Sequence, residues 1–98
     1  MQVLTYLNRD NTAKISLSLN GAPWPASQAS KIEISTPKGS VDSVSNPAMF
    51  AVADDVTLKL GSAEWPSGAY WARIIVYTDA WPRGVVWGDQ FKLIIQSA

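Results

Sequence analysis

Apolar and polar residues alternate along much of the chain, and turn residues break the alternation at short intervals. In "AKISLSL", Ile15, Leu17 and Leu19 share one face, while lysine and serine occupy the other. "KIEIS" repeats the pattern with Ile32 and Ile34 inward. "VTLKL" repeats it again through Val56, Leu58 and Leu60. A period of two is typical of a strand with one buried face, so each segment predicts a half-buried strand.

Turn signals and further apolar segments complete the predicted architecture. "NGAPWP" and "TPKGS" end the first two of these strands, because Asn, Gly and Pro favour turns. "QVLTYL" predicts an opening strand, whereas "VDSVSNPAMFAVADD" leaves two interpretations open: a short strand containing Met49, Phe50 and Val52, or one helical turn. We expect residues 1–98 to form one all-β domain, an immunoglobulin-like antiparallel two-sheet β-sandwich of about seven strands. A small barrel is the competing architecture.

Two carboxy-terminal strands, "AYWARIIVYT" and "VVWGDQFKLIIQ", carry more apolar residues than one buried face requires. Because Arg73 is expensive to bury unpaired, its side of the first strand is expected to point outward. The inward set is then Tyr70, Ala72, Ile74 and Val76. In the last strand Phe91, Leu93 and Ile95 share the inward side, so Ile94 is expected to point outward. The predicted outer patch, whose aromatics and arginine are typical of protein–protein contacts, consists of Trp71, Arg73, Ile75, Tyr77 and Ile94.

The patch has an alternative interpretation, in which loops of the same chain cover it, for example through Trp24 or Trp65. Exposed apolar patches of this kind are uncommon on soluble monomers. Trp24, Trp65 and Trp81 each precede a proline. They are interpreted as ordinary loop plugs, or else as secondary contacts that dock on a subunit or stack on sugar rings.

Composition excludes several classes of function. With 8 basic and 8 acidic residues the chain has no broad field for nucleic acid or an anionic membrane. It has no cysteine and no histidine, which removes disulfides, thiol nucleophiles and the commonest general base and zinc ligand. The carboxylates of Asp54, Asp55, Asp79 and Asp89 lack the spacing of a calcium loop, and neither Glu33 nor Glu64 suggests a catalytic pair. We therefore expect no enzyme, no cofactor, no metal and no membrane span or signal peptide.

Two segments near the ends of the chain, "LNRDNTAKISLSLNGAPWP" and "WPSGAYWARIIVYTDAWPRGVVWGDQFKLII", share a recognisable pattern. They resemble small immunoglobulin-like domains of tailed-bacteriophage virion proteins, and the centre of the chain is unmatched. The positions that fit the pattern of these domains are Arg9, Asp10, Gly68, Tyr70, Arg73, Tyr77, Gly84, Trp87, Gly88 and Phe91.

The resemblance implies a non-enzymatic structural component of the virion, assembled in the host cytoplasm and attached to other virion proteins in several copies or as a homo-oligomer. Such domains occur in baseplate and tail adaptors and on capsid surfaces. No helical stalk or receptor-binding domain follows Ala98, so the expectation is a stand-alone unit, such as a capsid decoration protein or a neck or tail component. The rival hypotheses are a carbohydrate-binding module that uses the loop tryptophans and a homo-oligomeric scaffold unrelated to viruses.

Overall fold

Residues 2–97 are described by the computed structural model, which for Asp89 describes the backbone alone. Across this range the chain is built from strands, with three short 3-10 turns at Ala26–Gln28, Pro47–Met49 and Leu60–Ala63. In chain order the strands are β1 (Gln2–Tyr6), β2 (Ala13–Ile15), β3 (Ser18–Leu19), β4 (Ala22–Pro23), β5 (Lys31–Thr36), β6 (Gly39–Asp42), β7 (Phe50–Val52), β8 (Val56–Leu58), β9 (Gly68–Tyr77) and β10 (Val85–Gln96).

The strands form three sheets within the described residues. The largest has the order β1-β10-β9-β5-β6, the second β2-β8-β7, and β3 and β4 make a small hairpin. Antiparallel pairing joins all neighbours except β1 and β10, which run parallel with Val3 opposite Leu93. The expectation of a purely antiparallel arrangement is therefore wrong at this edge, because the first strand returns to the last one in the same direction.

Alternation along the long strands sets which side faces the core. In β9, Ala72, Ile74 and Val76 are buried, and in β5 the buried pair is Ile32 and Ile34. The predicted inward parity of these strands is confirmed. The inner face of β10 likewise buries Phe91, Leu93 and Ile95.

Three local expectations are corrected by the structure. Leu19 is exposed, because the chain leaves β2 after Ile15 and enters the β3–β4 hairpin, so the alternation in "AKISLSL" does not belong to one strand. Leu60 is buried, but it begins a 3-10 turn rather than ending a strand. Tyr70 is half-buried rather than fully inside.

The ambiguous centre of the chain contains both of the elements considered for it. Met49 ends a 3-10 turn, and Phe50 begins β7 immediately afterwards. Pro47 at the start of the turn suits this geometry, because its fixed φ is compatible with a helical first position.

One hydrophobic cluster joins the inner faces of the five-stranded and three-stranded sheets, an arrangement compatible with a β-sandwich. Trp65 belongs to this cluster with only 6% of its surface exposed, and its indole nitrogen lies against Gly39 at the start of β6. Trp65 therefore fills the core, and the expectation that it forms an exposed loop contact is corrected.

A side-chain hydrogen bond ties the loop before β9 to the strand itself. The hydroxyl of Tyr70 donates to the carbonyl oxygen of Pro66 at 2.5 Å. The bond turns the phenol back along the chain and anchors the start of β9.

Candidate interaction surface

The outward side of the five-stranded sheet, called the outer face below, carries all five residues predicted for the patch. Trp71, Arg73, Ile75 and Tyr77 lie on alternate positions of β9, and Ile94 lies on the neighbouring β10. In the observed register Lys92 stands opposite Trp71, and Ile94 stands opposite Ala69. The five side chains therefore share one surface, although charged residues separate them.

Trp71 is the most exposed aromatic residue on the outer face. It leaves 58% of its surface accessible, and a hollow of about 330 Å³ beside it is also lined by Pro37, Arg73 and Gln90. An exposed indole next to a hollow offers a partner both a large apolar surface and a recess to fill, the combination common at the centre of protein interfaces.

The guanidinium of Arg73 is positioned by a neighbour on β10. With its amide oxygen turned toward the arginine, Gln90 accepts hydrogen bonds from Nη2 at 2.7 Å and from Nε at 3.0 Å. This leaves the remaining donors of the planar guanidinium for another acceptor. Arg73 is thus held next to Trp71 in an exposed position.

Tyr77 is engaged by its own chain. Its hydroxyl donates to Oε1 of Glu33 at 2.7 Å, and Nζ of Lys31 lies 4.2 Å from its ring centroid. The hydrogen bond to Glu33, followed by burial, raises the pKa of Tyr77 above its ordinary value of 10.0. Tyr77 consequently offers less free surface than the sequence suggests.

The β9–β10 turn partly covers the same end of the outer face. The backbone of Gly84 lies so close to Ile75 and Tyr77 that a Cβ there would be 2.6 Å from Cγ2 of Ile75. Ile75 is half-buried for this reason. Cover by the same chain, one of the two interpretations of the patch, applies at this end and does not apply at Trp71.

Two exposed apolar residues of the outer face were absent from the predicted set. Val86 stands opposite Ile75 and is 52% exposed, and Leu4 stands opposite Ile94 and is 45% exposed. The alternation along β10 carries the signal for Val86. Leu4 has no comparable signal, because its place depends on the parallel pairing of β1 with β10.

The loop tryptophans separate into two locations. Trp24 and Trp81 pack together with Trp87 of β10, with ring centroids 6.2 Å apart for Trp24–Trp81, 4.8 Å for Trp24–Trp87 and 6.0 Å for Trp81–Trp87. We call these three residues the tryptophan cluster. All three are half-buried, and Trp65 is not among them. Trp87 joins the cluster because it lies near the start of β10, the strand that follows the Trp81 turn.

Acidic residues do not converge into a metal site in the part of the chain that is described. Among those side chains, groups of three or more possible ligands are not found, and the side chain of Asp89 lies outside the description. Between residues 2 and 97 the structure has no helix of the length and hydropathy needed to cross a lipid bilayer.

Comparison with known proteins gives no relative. The chain matches no protein-family model, no curated protein and no solved structure.

Proposed function

We propose that this chain is a non-enzymatic structural component of a tailed-phage virion, an immunoglobulin-like β-sandwich that attaches to its neighbours through the outer face. The observation that carries the proposal is the exposure of Trp71 beside a positioned arginine on the five-stranded sheet. The assignment to a virion rests in addition on the sequence resemblance. Two of the residues that carry the resemblance, Arg73 and Tyr77, lie on this same face.

The topology supports an immunoglobulin-like fold. The neighbour order β6-β5-β9-β10 corresponds to strands C′, C, F and G of a variable-type domain, and β2-β8-β7 corresponds to B, E and D. The bond from Tyr70 to Pro66 corresponds to the tyrosine corner at the start of strand F. Within this proposal β1 departs from the simplest order, since it pairs with the G-equivalent strand.

The outer face has the chemistry of a docking surface. Trp and Arg are enriched among residues that dominate binding energy, and the exposed Val86 on β10 and Leu4 on β1 extend the apolar area. A sheet loses little conformational freedom when a partner binds, so the ordering cost of attachment is small. In a homo-oligomer, linked copies that contact the particle together would strengthen the attachment further.

The partners in this proposal are other virion proteins, and the attachment point is the capsid surface or the neck and tail. Several copies assemble on each particle in the host cytoplasm. A face that mixes apolar groups with Lys92 and Arg73 suits a partner with apolar pockets rimmed by carboxylates or carbonyl oxygens.

Substitution of Trp71 by serine tests the proposal. Val44→Ser is the matched control, because Val44 is 64% exposed and lies in the turn after β6, outside the outer face. We expect Trp71→Ser to remain folded and to be lost from particles purified from a lysate of the phage that encodes the chain, while Val44→Ser is retained. Retention of both variants at the wild-type level would contradict the proposal.

A further inference from the structure

Three segments meet in a groove near the tryptophan cluster. They are the end of β2 at Ser16, the proline-flanked segment at Trp24, and the tip of the β7–β8 hairpin at Asp54 and Asp55. The backbone N–H of Ala26 donates to the carbonyl oxygen of Asp54 at 3.0 Å, which fixes the hairpin tip against the Trp24 segment. The groove has a volume of about 430 Å³, within the range of roughly 300–1,000 Å³ typical of small-molecule sites.

The wall formed by Trp24 is held in place from behind. Its ring packs on Trp87 and Trp81, and Pro23 and Pro25 restrict the backbone on both sides. A ring that is fixed before binding loses little entropy when a ligand stacks on it. The tryptophan cluster therefore supports Trp24 as a platform.

The same packing excludes a different kind of aromatic site. Centroid separations of 4.8 to 6.2 Å are those of rings in direct contact with each other. No cation fits between rings that touch, so the tryptophan cluster is not a cage for a quaternary ammonium or a methylated lysine.

The groove is lined by oxygen atoms as well as by Trp24. Asp54 is exposed, and the half-exposed Asp55 is paired with Lys14 at 3.2 Å between Nζ and Oδ2. A hydrogen bond from Ser16, and then one from Lys14, lowers the pKa of Asp55, so this carboxylate is ionised at neutral pH. Ionised carboxylates only accept hydrogen bonds, so the ligand has to supply donors on that side.

The geometry points to a carbohydrate-binding site in this groove. A pyranose ring has an apolar C–H face that stacks on an indole and a rim of hydroxyl groups that donate to carboxylates. In this groove the C–H face would contact Trp24, and the hydroxyl groups would donate to the aspartates. The ligand is an oligosaccharide without acidic groups, because the carboxylate of Asp54 would repel an anion and Asp55 is already paired with Lys14. The site goes beyond the proposed function and uses none of the residues of the outer face.

The test is a titration of the isotopically labelled chain followed by NMR. The probes are chitotetraose, cellotetraose, maltotetraose and galactotetraose at millimolar concentration. We expect at least one of them to shift the indole N–H signal of Trp24 and the amide signals of Ser16 and Asp54, while the indole signals of Trp65 and Trp71 stay in place. If none of the probes shifts the groove signals, or if the shifts centre on Trp71, the inference is overturned.

Two matched variants then test the role of the carboxylate. Asp54→Ala removes an exposed side chain in the groove, and Asp79→Ala removes an exposed aspartate from the β9–β10 loop. Loss of a charge-assisted hydrogen bond is expected to raise the Kd for the active probe by about tenfold in Asp54→Ala, with no change in Asp79→Ala. Equal affinities for both variants would contradict the site. Trp71→Ser should bind the probe as the wild type does, so failure of the outer-face proposal and failure of the groove give different results.

Discussion

One buried hydroxyl group in the core, that of Thr5, has no hydrogen-bond partner among the described residues. Thr5 points inward from β1. The crevice beside it, lined also by Val3, Leu58 and Leu60, has no room for a water molecule that could serve as a partner. A buried hydroxyl without a partner is unfavourable, because it gives up its hydrogen bonds to water without replacement.

We predict that Thr5→Val stabilises the protein. Valine keeps the shape of threonine and replaces the unpartnered hydroxyl by a methyl group, so the free energy of unfolding should rise by about 1 kcal/mol. Urea unfolding measures this as a higher midpoint with an unchanged slope. Thr36→Val is the matched control and should lower stability, since Oγ1 of Thr36 donates to Gly39 and accepts from Lys38. A lower midpoint for Thr5→Val would contradict this account.

A second residue-scale prediction concerns Tyr77 and Glu33. Because the folded state raises the pKa of Tyr77, the phenol is more stable protonated in the folded chain. The stabilisation is therefore fully present below pH 10.0, the ordinary value, and is lost as the pH rises through the folded pKa. Glu33→Gln removes the negative charge, so the most alkaline step of the phenolate absorbance titration should move to lower pH. Identical titration curves for wild type and variant would show that Glu33 does not control Tyr77.

At the scale of elements, the β9–β10 hairpin determines which part of the outer face is open. Its turn closes through backbone bonds from Trp81 to Thr78 at 3.0 Å and from Gly84 to Trp81 at 3.0 Å. Gly84 has a φ of 81°, in the left-handed region that favours glycine. The close approach at this residue brings the turn against Ile75 and Tyr77.

We predict that Gly84→Ala is more destabilising than Gly21→Ala. Both glycines have positive φ, but a Cβ at residue 21 meets no atom within 4 Å, whereas one at residue 84 overlaps Ile75 and Tyr77. The conformational cost alone is about 1 kcal/mol at Gly21, and overpacking should add roughly 1–3 kcal/mol at Gly84. Thermal or urea unfolding of the two variants gives the comparison. Equal destabilisation would mean that the turn relaxes away from the sheet.

The strands that local pattern could predict are those with a long, strict alternation. β5 and β9 lie where the apolar period places them, because one buried face fixes the register of a strand. β10 also lies where it was predicted, but its pairing with β9 shifts register between Trp87 and Phe91, which the pattern did not show. The parallel pairing of β1 with β10 could not be predicted, since it joins the two ends of the chain and leaves no signal in either segment alone. The break after Ile15 was missed for a related reason: Leu17 and Leu19 continue the pattern although the backbone changes direction.

The sequence could predict which residues of β9 lie on the outer face, but not which other side chains contact them. The cost of burying Arg73 placed Trp71 on the outer side, where it is exposed. The sequence carries no sign that Lys31 and Glu33 contact Tyr77, because both lie on β5, more than forty residues away in the chain. The tryptophan cluster was missed likewise, since it depends on how the Trp24 and Trp81 loops meet at β10.

For the molecule as a whole, the two candidate sites lie on separate surfaces with different chemistry. The outer face belongs to the five-stranded sheet and centres on Trp71 and Arg73, whereas the groove adjoins β2 and the β7–β8 hairpin. Separate surfaces allow attachment to a particle and recognition of a ligand to occur at the same time. A chain attached through the outer face would keep Asp54 and Trp24 accessible.

Hydroxyl-radical footprinting of Trp71 in the assembled particle tests the central claim most directly. Trp71 is 58% exposed in the single chain and should be oxidised readily there. In particles that contain the chain, attachment through the outer face predicts strong protection of Trp71, while the buried Trp65 reacts weakly in both states. Oxidation of Trp71 at the same rate in free chain and particle would contradict attachment through this face.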